Sequence, residues 1–483
     1  MAVGSSNSFD LVVLGAGTGG YSAAFRAAQL GLRVALVDED KIGGTCLHRG
    51  CIPTKALLES AEMMNRARHL KDFGVVLPGE PGEPGVDYAT MAKRRDQVVK
   101  RMWTGLKSLV DKNKVTWVQG RGRLEGPGRV RVSQPSEDGT PGAGGERLLE
   151  ATDIIVATGS RVKSLPGLVP DGERILTSDD ILRRETYPAS IIIVGAGAVG
   201  VEFASFYADL GTKVTVLEYL SSIVPLEDRE VSALLERSFA RRGIRVLTNA
   251  RFDPAAVKVE GEGVVVSAGP EGGTAEEIRA EVMLVATGRA ANIEGIGLET
   301  TRVEVERGII KVDEQMRTRE PHVYAVGDIV GGLWLAHTAA HEGILAAHTI
   351  AGDTNVHPID YVKQPRATYC RPEIASIGLT EQQCQELGIP YLVGKVPFQA
   401  IAKALIGGEY EGFAKVIGNA ETGDTLGVHL VGPHATDLIA EASVALELEA
   451  TPWEIGGSTH PHPTLSEIIG EAAMAVDGRS INF

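Results

Sequence analysis

The sequence predicts an α/β protein built around two copies of one strand–turn–helix–strand unit, and three observations carry that reading. An apolar strand over residues 9–14 runs into Gly15-Ala16-Gly17-Thr18-Gly19-Gly20, and a second over residues 190–194 runs into Gly195-Ala196-Gly197-Ala198-Val199-Gly200. The spacing from first glycine to a following acid is 23 positions in both copies, Gly15 to Asp38 and Gly195 to Glu218. The 58 glycines, against 10 Phe, 10 Tyr and 4 Trp, suit a chain with many tight strand-to-helix turns. One such motif is a weak signal. Two complete copies, each with strand before, helix after and acid in place, specify two Rossmann-like dinucleotide-binding domains.

In the first copy a helix is expected from Tyr21 to Leu30, stopped by Gly31, with the second strand over 33–38. In the second copy the helix ends at Gly211 and the strand covers 213–218. Within each fingerprint the first glycine makes the tight turn, the second lets backbone approach a pyrophosphate, and the third packs helix on strand. The helix N-terminus then offers unpaired N–H groups to the phosphates. This assigns Gly15, Gly17, Gly20 and Asp38 to one nucleotide and Gly195, Gly197, Gly200 and Glu218 to another. A 2′-phosphate would want a basic residue near the strand end. Glu218 is instead followed by Tyr219, Leu220, Ser221 and Ser222, and the first arginine is Arg229, which points to NAD at the second site. Buried-type strands over 154–159 and 283–288 both close on Ala-Thr-Gly, and one over 323–328 closes on Asp328. Thr158 and Thr287 can also be read as plain turn residues. Residues 78–85 and 135–145 read as solvent loops, and the first eight residues as disordered.

At 483 residues, a prior of roughly 150 per domain suggests about three domains. The net charge of −15 opposes a nucleic-acid partner, because phosphate binding needs a basic face. No uncharged apolar run approaches the ~20 residues that span a bilayer. Residues 1–10 hold no basic and apolar leader pattern, so no secretory signal is expected and the reading places the chain in the cytoplasm. Four cysteines in so long a chain are no secreted disulfide framework.

Two of those cysteines lie five positions apart in Gly43-Gly44-Thr45-Cys46-Leu47-His48-Arg49-Gly50-Cys51-Ile52-Pro53-Thr54-Lys55, just after the first unit. In a reducing compartment such a pair is more often catalytic than structural. On a regular helix the two positions would be about 140° apart around the axis, which suits a disulfide poorly. Gly50 and Pro53 allow an irregular helix there. His48 and Arg49, with a helix start close by, are expected to lower the thiolate pKa. Two free buried thiols, or metal ligands, are the plainer readings. No His or Cys at zinc spacing accompanies the pair, so no metal is assigned. Cys370 and Cys384 read as packing residues.

With the late run His460-Pro461-His462-Pro463-Thr464-Leu465-Ser466-Glu467 added, the two fingerprints, the Gly-Gly-Thr-Cys-x4-Cys-Ile-Pro-Thr-Lys segment and Gly327-Asp328 resemble the pyridine nucleotide-disulfide oxidoreductases from residue 9 to the C-terminus. The resemblance implies a third, C-terminal α+β interface (dimerisation) domain and a division into 1–151 (FAD-binding, first part), 152–282 (NAD-binding), 283–352 (central, completing the FAD-binding domain) and 353–483 (interface). FAD would be held by Gly15, Gly17, Gly20 and Asp38, with Lys55 near the flavin ring and Gly122, Thr158, Gly159, Ser160, Asp328, Leu335, Ala336 and His337 completing the site. Gly195, Gly197, Gly200, Glu218 and Gly288 would hold NAD, and Glu202 would pair with Lys55. Cys51 would face the flavin and Cys46 would exchange with substrate.

The resemblance also makes His462 the base, oriented by Glu467. The residues themselves allow a second reading, a capping box Thr464-x-x-Glu467 in which the acid only satisfies backbone. One carboxylate is not expected to meet both demands fully. His434 and His460 read as structural. The implied reaction oxidises dihydrolipoamide, carried by a lipoyl-bearing acyltransferase of a 2-oxo acid dehydrogenase complex, and passes hydride to NAD. An obligate homodimer follows, His462 serving the pair of the other copy. Asp38 stands where the family more often has Glu, and Leu47-His48-Arg49 replaces a commoner Leu-Asn-Val. A reductase of a glutathione- or mycothiol-type disulfide is therefore the alternative. The tail Arg479-Ser480-Ile481-Asn482-Phe483 lacks the cysteine pair of a mercuric reductase.

Overall fold

Hydrogen bonding sorts the predicted strands into sheets in a computed structural model that describes residues 7–76, 84–134, 136 and 144–483. The expectations for the first eight residues and for the loops at 78–85 and 135–145 lie largely outside the described residues. The chain divides into two compact units, one of residues 1–56, 93–163 and 289–361, the other of residues 57–92, 164–288 and 362–483.

In the first unit, Ser8–Leu14 sits between Val34–Asp38 and Glu146–Val156, parallel to both, and Thr116–Gln119 extends the parallel edge. Glu146–Val156 is long because it serves two partners. Its first half closes an antiparallel ribbon with Arg129–Ser133, and its last three residues pair with Val323–Ala325 in parallel. Ser8–Leu14 keeps Leu11, Val12, Val13 and Leu14 buried on both faces, the continuous apolar run of a strand covered on either side. The helices Thr18–Gln29 and Ala336–Ile350 cross closely. A Cβ on Gly343 would stand 2.3 Å from Gly19 O, so only glycine permits that approach.

In the second unit, Lys213–Leu217, Ser190–Val194 and Val282–Val285 form the middle of an all-parallel five-stranded sheet. The compact units part at 163/164 and 288/289, so Glu146–Val156 and Val282–Val285 each stay whole within one unit. Ladder hydrogen bonds commit a whole strand to one sheet, which places the divisions after the strands. A separate antiparallel sheet in the order Arg366–Thr368, Glu373–Gly378, Thr425–Gly432, Phe413–Asn419, Tyr391–Pro397 gives the C-terminal part its α+β character. The helix Glu467–Ala475 lies directly on that sheet, since a Cβ on Gly394 would fall 2.0 Å from Ala472 O. Lys415, wholly buried, is met by Asp228 at 2.8 Å and by Glu230 and Glu381. A desolvated ammonium is tolerated only with such company.

Candidate active site

The two fingerprints fold into near-identical cradles. Gly15 and Gly195 each have φ +99°, in the left-handed region that favours glycine. A Cβ on Gly20 or Gly200 would stand 1.9 Å from the carbonyl oxygen of Gly15 or Gly195 respectively. Gly17 and Gly197, in contrast, face open space, and both are extended N-caps of twelve-residue helices, Thr18–Gln29 and Ala198–Asp209. That open cradle of N–H groups fits a pyrophosphate.

The acids close the cradles from below. Asp38 Oδ2 accepts from Ala16 N at 2.6 Å and Oδ1 from Asp40 N at 2.9 Å. Glu218 Oε2 accepts from Ala196 N at 2.6 Å and Oε1 from Leu220 N at 2.8 Å. Aspartate therefore meets, in the first copy, the same backbone demand that glutamate meets in the second. Burial raises the Asp38 pKa, against the two N–H donors that favour its charge.

A cavity of about 540 Å³ opens beside the first cradle, lined in part by Gly15, Asp38, Gly122, Thr158, Asn292 and Glu294. Thr158 Oγ1 donates to Asn292 O at 2.7 Å, and Asn292 returns a side-chain bond to Thr158 O at 3.1 Å, so Thr158 is anchored by more than a turn. Ser160 donates to Asp328, and Arg289 Nε donates to Ser160 Oγ at 2.6 Å. Asp328 follows Gly327, whose N–H is held by Glu342 Oε2 at 2.6 Å, while Tyr361 OH donates to Glu342 Oε1 at 2.9 Å. Burial pushes the Glu342 carboxyl up to about 7. Leu335 caps the helix Ala336–Ile350, which places Ala336 and His337 in its first turn. Sequence reading missed Asn292, Arg289, Glu342 and Tyr361. Their one legible trace was a glutamate on the apolar face of that helix.

The cysteine segment is two helices, Gly44–Arg49 and Cys51–Arg68, broken at Gly50 with φ −144° and ψ −110°. The irregularity expected between the cysteines is thus a full break. Both cysteines are half-buried, and their thiols are hydrogen-bonded to each other. A Cβ on Gly44 would lie 2.6 Å from Gly17 Cα, so this segment starts against the first phosphate cradle. The Cys46 thiol is pushed up, first by its hydrogen bond to Cys51 and then by burial and the Cys51 charge; Thr18 and the Lys55 ammonium oppose this. Neither His48 nor Arg49 is among the groups that act most on the Cys46 thiol. His48 Nε2 meets Ile42 O at 2.9 Å with its ring edge-on to Trp103, and Arg49 reaches Asp40 at 3.6 Å.

In the second unit Glu202 is buried on the helix Ala198–Asp209, its Oε1 accepting from Tyr369 N at 2.9 Å. Gly288 has φ +108° and faces open space just past the strand Val282–Val285. Tyr219, beside Glu218, is covered by the guanidinium of Arg251, 3.6 Å above its ring, a residue that reading along the strand did not find. His462, with 71% of its side chain exposed, presents Nδ1 to Glu467 Oε1 at 2.8 Å. Burial alone would raise Glu467; the Thr464 N–H and the His462 ring outweigh it and hold the carboxyl below its usual range. His460 is tied to Glu441 at 2.7 Å, and Cys370 and Cys384 are buried.

Comparison with known proteins places these features in context. The pattern for "Pyridine nucleotide-disulphide oxidoreductase" matches residues 9–343, and that for the same group's dimerisation domain matches residues 364–473. The chain is 47% identical over 476 residues to a dihydrolipoyl dehydrogenase of Bacillus subtilis, covering 98% of this chain and 99% of that one. A dihydrolipoyl dehydrogenase of Zymomonas mobilis is 42% identical over 475 residues, with 98% and 99% covered. The crystal structure of LpdA from Mycobacterium tuberculosis superimposes with a TM-score of 0.86 at 31% identity, covering 96% of this chain and 98% of that one.

Proposed function

The chain belongs to the pyridine nucleotide-disulphide oxidoreductase family, and on that premise we propose that it oxidises protein-bound dihydrolipoamide to lipoamide with FAD and NAD as cofactors. It is an oxidoreductase, a flavoprotein with a redox-active dithiol, and it carries the dimerisation domain of a homodimer. The observation that carries the substrate reading is the hydrogen-bonded pair Cys46 and Cys51 at a helix break against the first phosphate cradle. The relatives described above favour dihydrolipoamide over a glutathione- or mycothiol-type disulfide.

His462, with Nδ1 turned to an acceptor-only carboxylate, carries its proton there and leaves Nε2 able to accept one. It takes the proton from a substrate thiol, and the thiolate sulfur attacks Cys46 Sγ. The Cys46–Cys51 bond breaks, and Cys51 leaves as a thiolate. The second substrate thiol attacks the sulfur joined to Cys46, which forms lipoamide and expels Cys46. Cys46 takes up the proton released by the second thiol, in keeping with its raised pKa, and His462 gives up the first proton to solvent. When bound, FAD accepts the two electrons of the reduced pair and NAD carries them away as hydride. In this reading His462 serves the pair of the second copy in the dimer. Gly15, Gly17, Gly20, Asp38, Gly122, Thr158, Gly159, Ser160, Asp328, and Leu335 to His337 hold FAD, with Lys55 at the ring. Gly195, Gly197, Gly200, Glu202, Glu218 and Gly288 hold NAD.

The partner is a lipoyl-bearing acyltransferase of a 2-oxo acid dehydrogenase complex, met in the cytoplasm. No helix among the described residues is long and apolar enough to cross a membrane. Anaerobic stopped-flow mixing of the FAD-loaded protein with dihydrolipoamide, then NAD, tests the reading. Bleaching of the flavin by the dithiol, followed by NADH formation, is the expected result. A flavin that NADH reduces but dihydrolipoamide leaves oxidised would assign a different disulfide.

A further inference from the structure

We propose that Arg251 is a latent 2′-phosphate-recognising residue at the ribose end of the second dinucleotide site, and that the Glu218 carboxylate alone keeps that site for NAD. Read along the chain, nothing basic follows Glu218 until Arg229. In the fold, however, Ala250 N donates to Glu218 O at 2.8 Å and Asn249 N to Leu220 O at 2.8 Å. The strand Ala250–Arg251 is thereby fastened to the turn that carries the acid. Arg251 Nη1 donates to Tyr219 O at 2.7 Å while its guanidinium covers the Tyr219 ring. Its carboxylate partner is Glu271 at 3.1 Å, whose side chain is 77% exposed. Such a pair is screened by water and worth little, so a phosphate can displace it. The stacked, planar fork is the arrangement suited to two-point phosphate binding.

Glu218 opposes this. Both of its oxygens are fixed by backbone N–H groups of Ala196 and Leu220, so the carboxylate cannot swing away. A ribose 2′-hydroxyl can donate to it; a 2′-phosphate would be pressed against a like charge. The preference for NAD then rests on repulsion by one residue rather than on absence of a phosphate ligand, and the ligand class Arg251 would take is a 2′-phosphorylated nucleotide such as NADP. This rests on the second fingerprint holding a pyridine dinucleotide and does not depend on which disulfide is turned over.

Calorimetric titration of the FAD-loaded, full-length protein with 5′-AMP and with 2′,5′-ADP reads the effect as a ratio of affinities. The native chain should prefer 5′-AMP by about tenfold or more, and Glu218→Gln should shift the ratio toward 2′,5′-ADP by about ten- to hundredfold. Adding Arg251→Ala should cancel that shift. A shift of the same size with and without Arg251→Ala overturns the proposal. Should Glu218→Gln fail to fold, Arg251→Ala alone decides: it should cost 2′,5′-ADP about threefold or more relative to 5′-AMP, and an unchanged ratio overturns the proposal. Failure of the native chain to bind 5′-AMP would overturn the dinucleotide reading of the site and this inference together.

Discussion

Glu467 and His462 are joined by one oxygen of a carboxylate whose other oxygen is already committed: Oε1 meets His462 Nδ1 at 2.8 Å, and Oε2 accepts from Thr464 N at 2.8 Å. One side chain therefore meets both the imidazole and a backbone N–H of the preceding turn. The capping box itself does not form. Ser466, not Thr464, is the N-cap of Glu467–Ala475, and the Thr464 hydroxyl donates instead to Pro461 O at 2.7 Å. The acid holds both the imidazole and the turn that delivers it.

Splitting the two roles is a matter of choosing the substitution. Glu467→Gln keeps acceptor and donor atoms near both partners, and should lower kcat by about ten- to hundredfold with little change in melting temperature. Glu467→Ala also strands the Thr464 N–H and should cost a further ~1–2 kcal/mol in urea melts. The folded-state pKa of Glu467 is lowered, so its contribution to stability is present above the unfolded value of about 4.3 and fades as pH falls through the folded value. Glu467→Gln should flatten that acid limb, and an unchanged limb would remove the ion-pair reading.

Two glycines in the first cradle should fail for opposite reasons. Gly20→Ala places a Cβ 1.9 Å from Gly15 O and should destabilise the fold by roughly 2 kcal/mol or more. Gly17→Ala meets no protein atom within 4 Å, so the chain should fold normally yet lose FAD, because its methyl enters the phosphate cradle. Thermal melts and flavin content of the purified variants separate the two; a Gly17→Ala protein that retains full flavin would count against pyrophosphate binding there.

The redox pair should titrate as a coupled unit. Cys51 is the main cause of the raised Cys46 pKa, so Cys51→Ser should bring the Cys46 thiol down. Alkylation of Cys46 by iodoacetamide, followed against pH, should show its midpoint move to lower pH in that variant. Turnover with dihydrolipoamide should be lost in Cys51→Ser and in Cys46→Ser alike, and full turnover in either would contradict the assigned chemistry.

Glu342 makes a separate pH prediction for the turn that carries Asp328. Its folded pKa is raised to about 7 by burial. A raised carboxyl contributes stability that is fully present below the unfolded value of about 4.3 and is lost as pH rises through the folded value. Stability of the native protein should therefore decline between about pH 4 and 7, and Glu342→Gln should remove part of that decline. Urea melts at the two ends of the range give the comparison; parallel pH profiles would mean that the group is not buried in solution as the fold implies.

The sequence alone determined whatever is written in local backbone demands. The duplicated glycine fingerprints, the acids 23 positions on and the weak point at Gly50 each reflect a conformation that only certain residues allow, so spacing is enough to reveal them. Tertiary structure decided the contacts whose partners are distant along the chain. Arg251 meets Tyr219 across 32 positions, Ser160 meets Asp328 across 168, and Val282–Val285 joins the sheet of Ser190–Val194. It also decided that Asp38 reaches as far as it must, that His48 meets Ile42 and Arg49 meets Asp40, and that Glu467 holds both His462 and Thr464. Periodicity carries no record of such pairs, because which side chains meet, and how far water is excluded from them, is set by how the strands and helices pack.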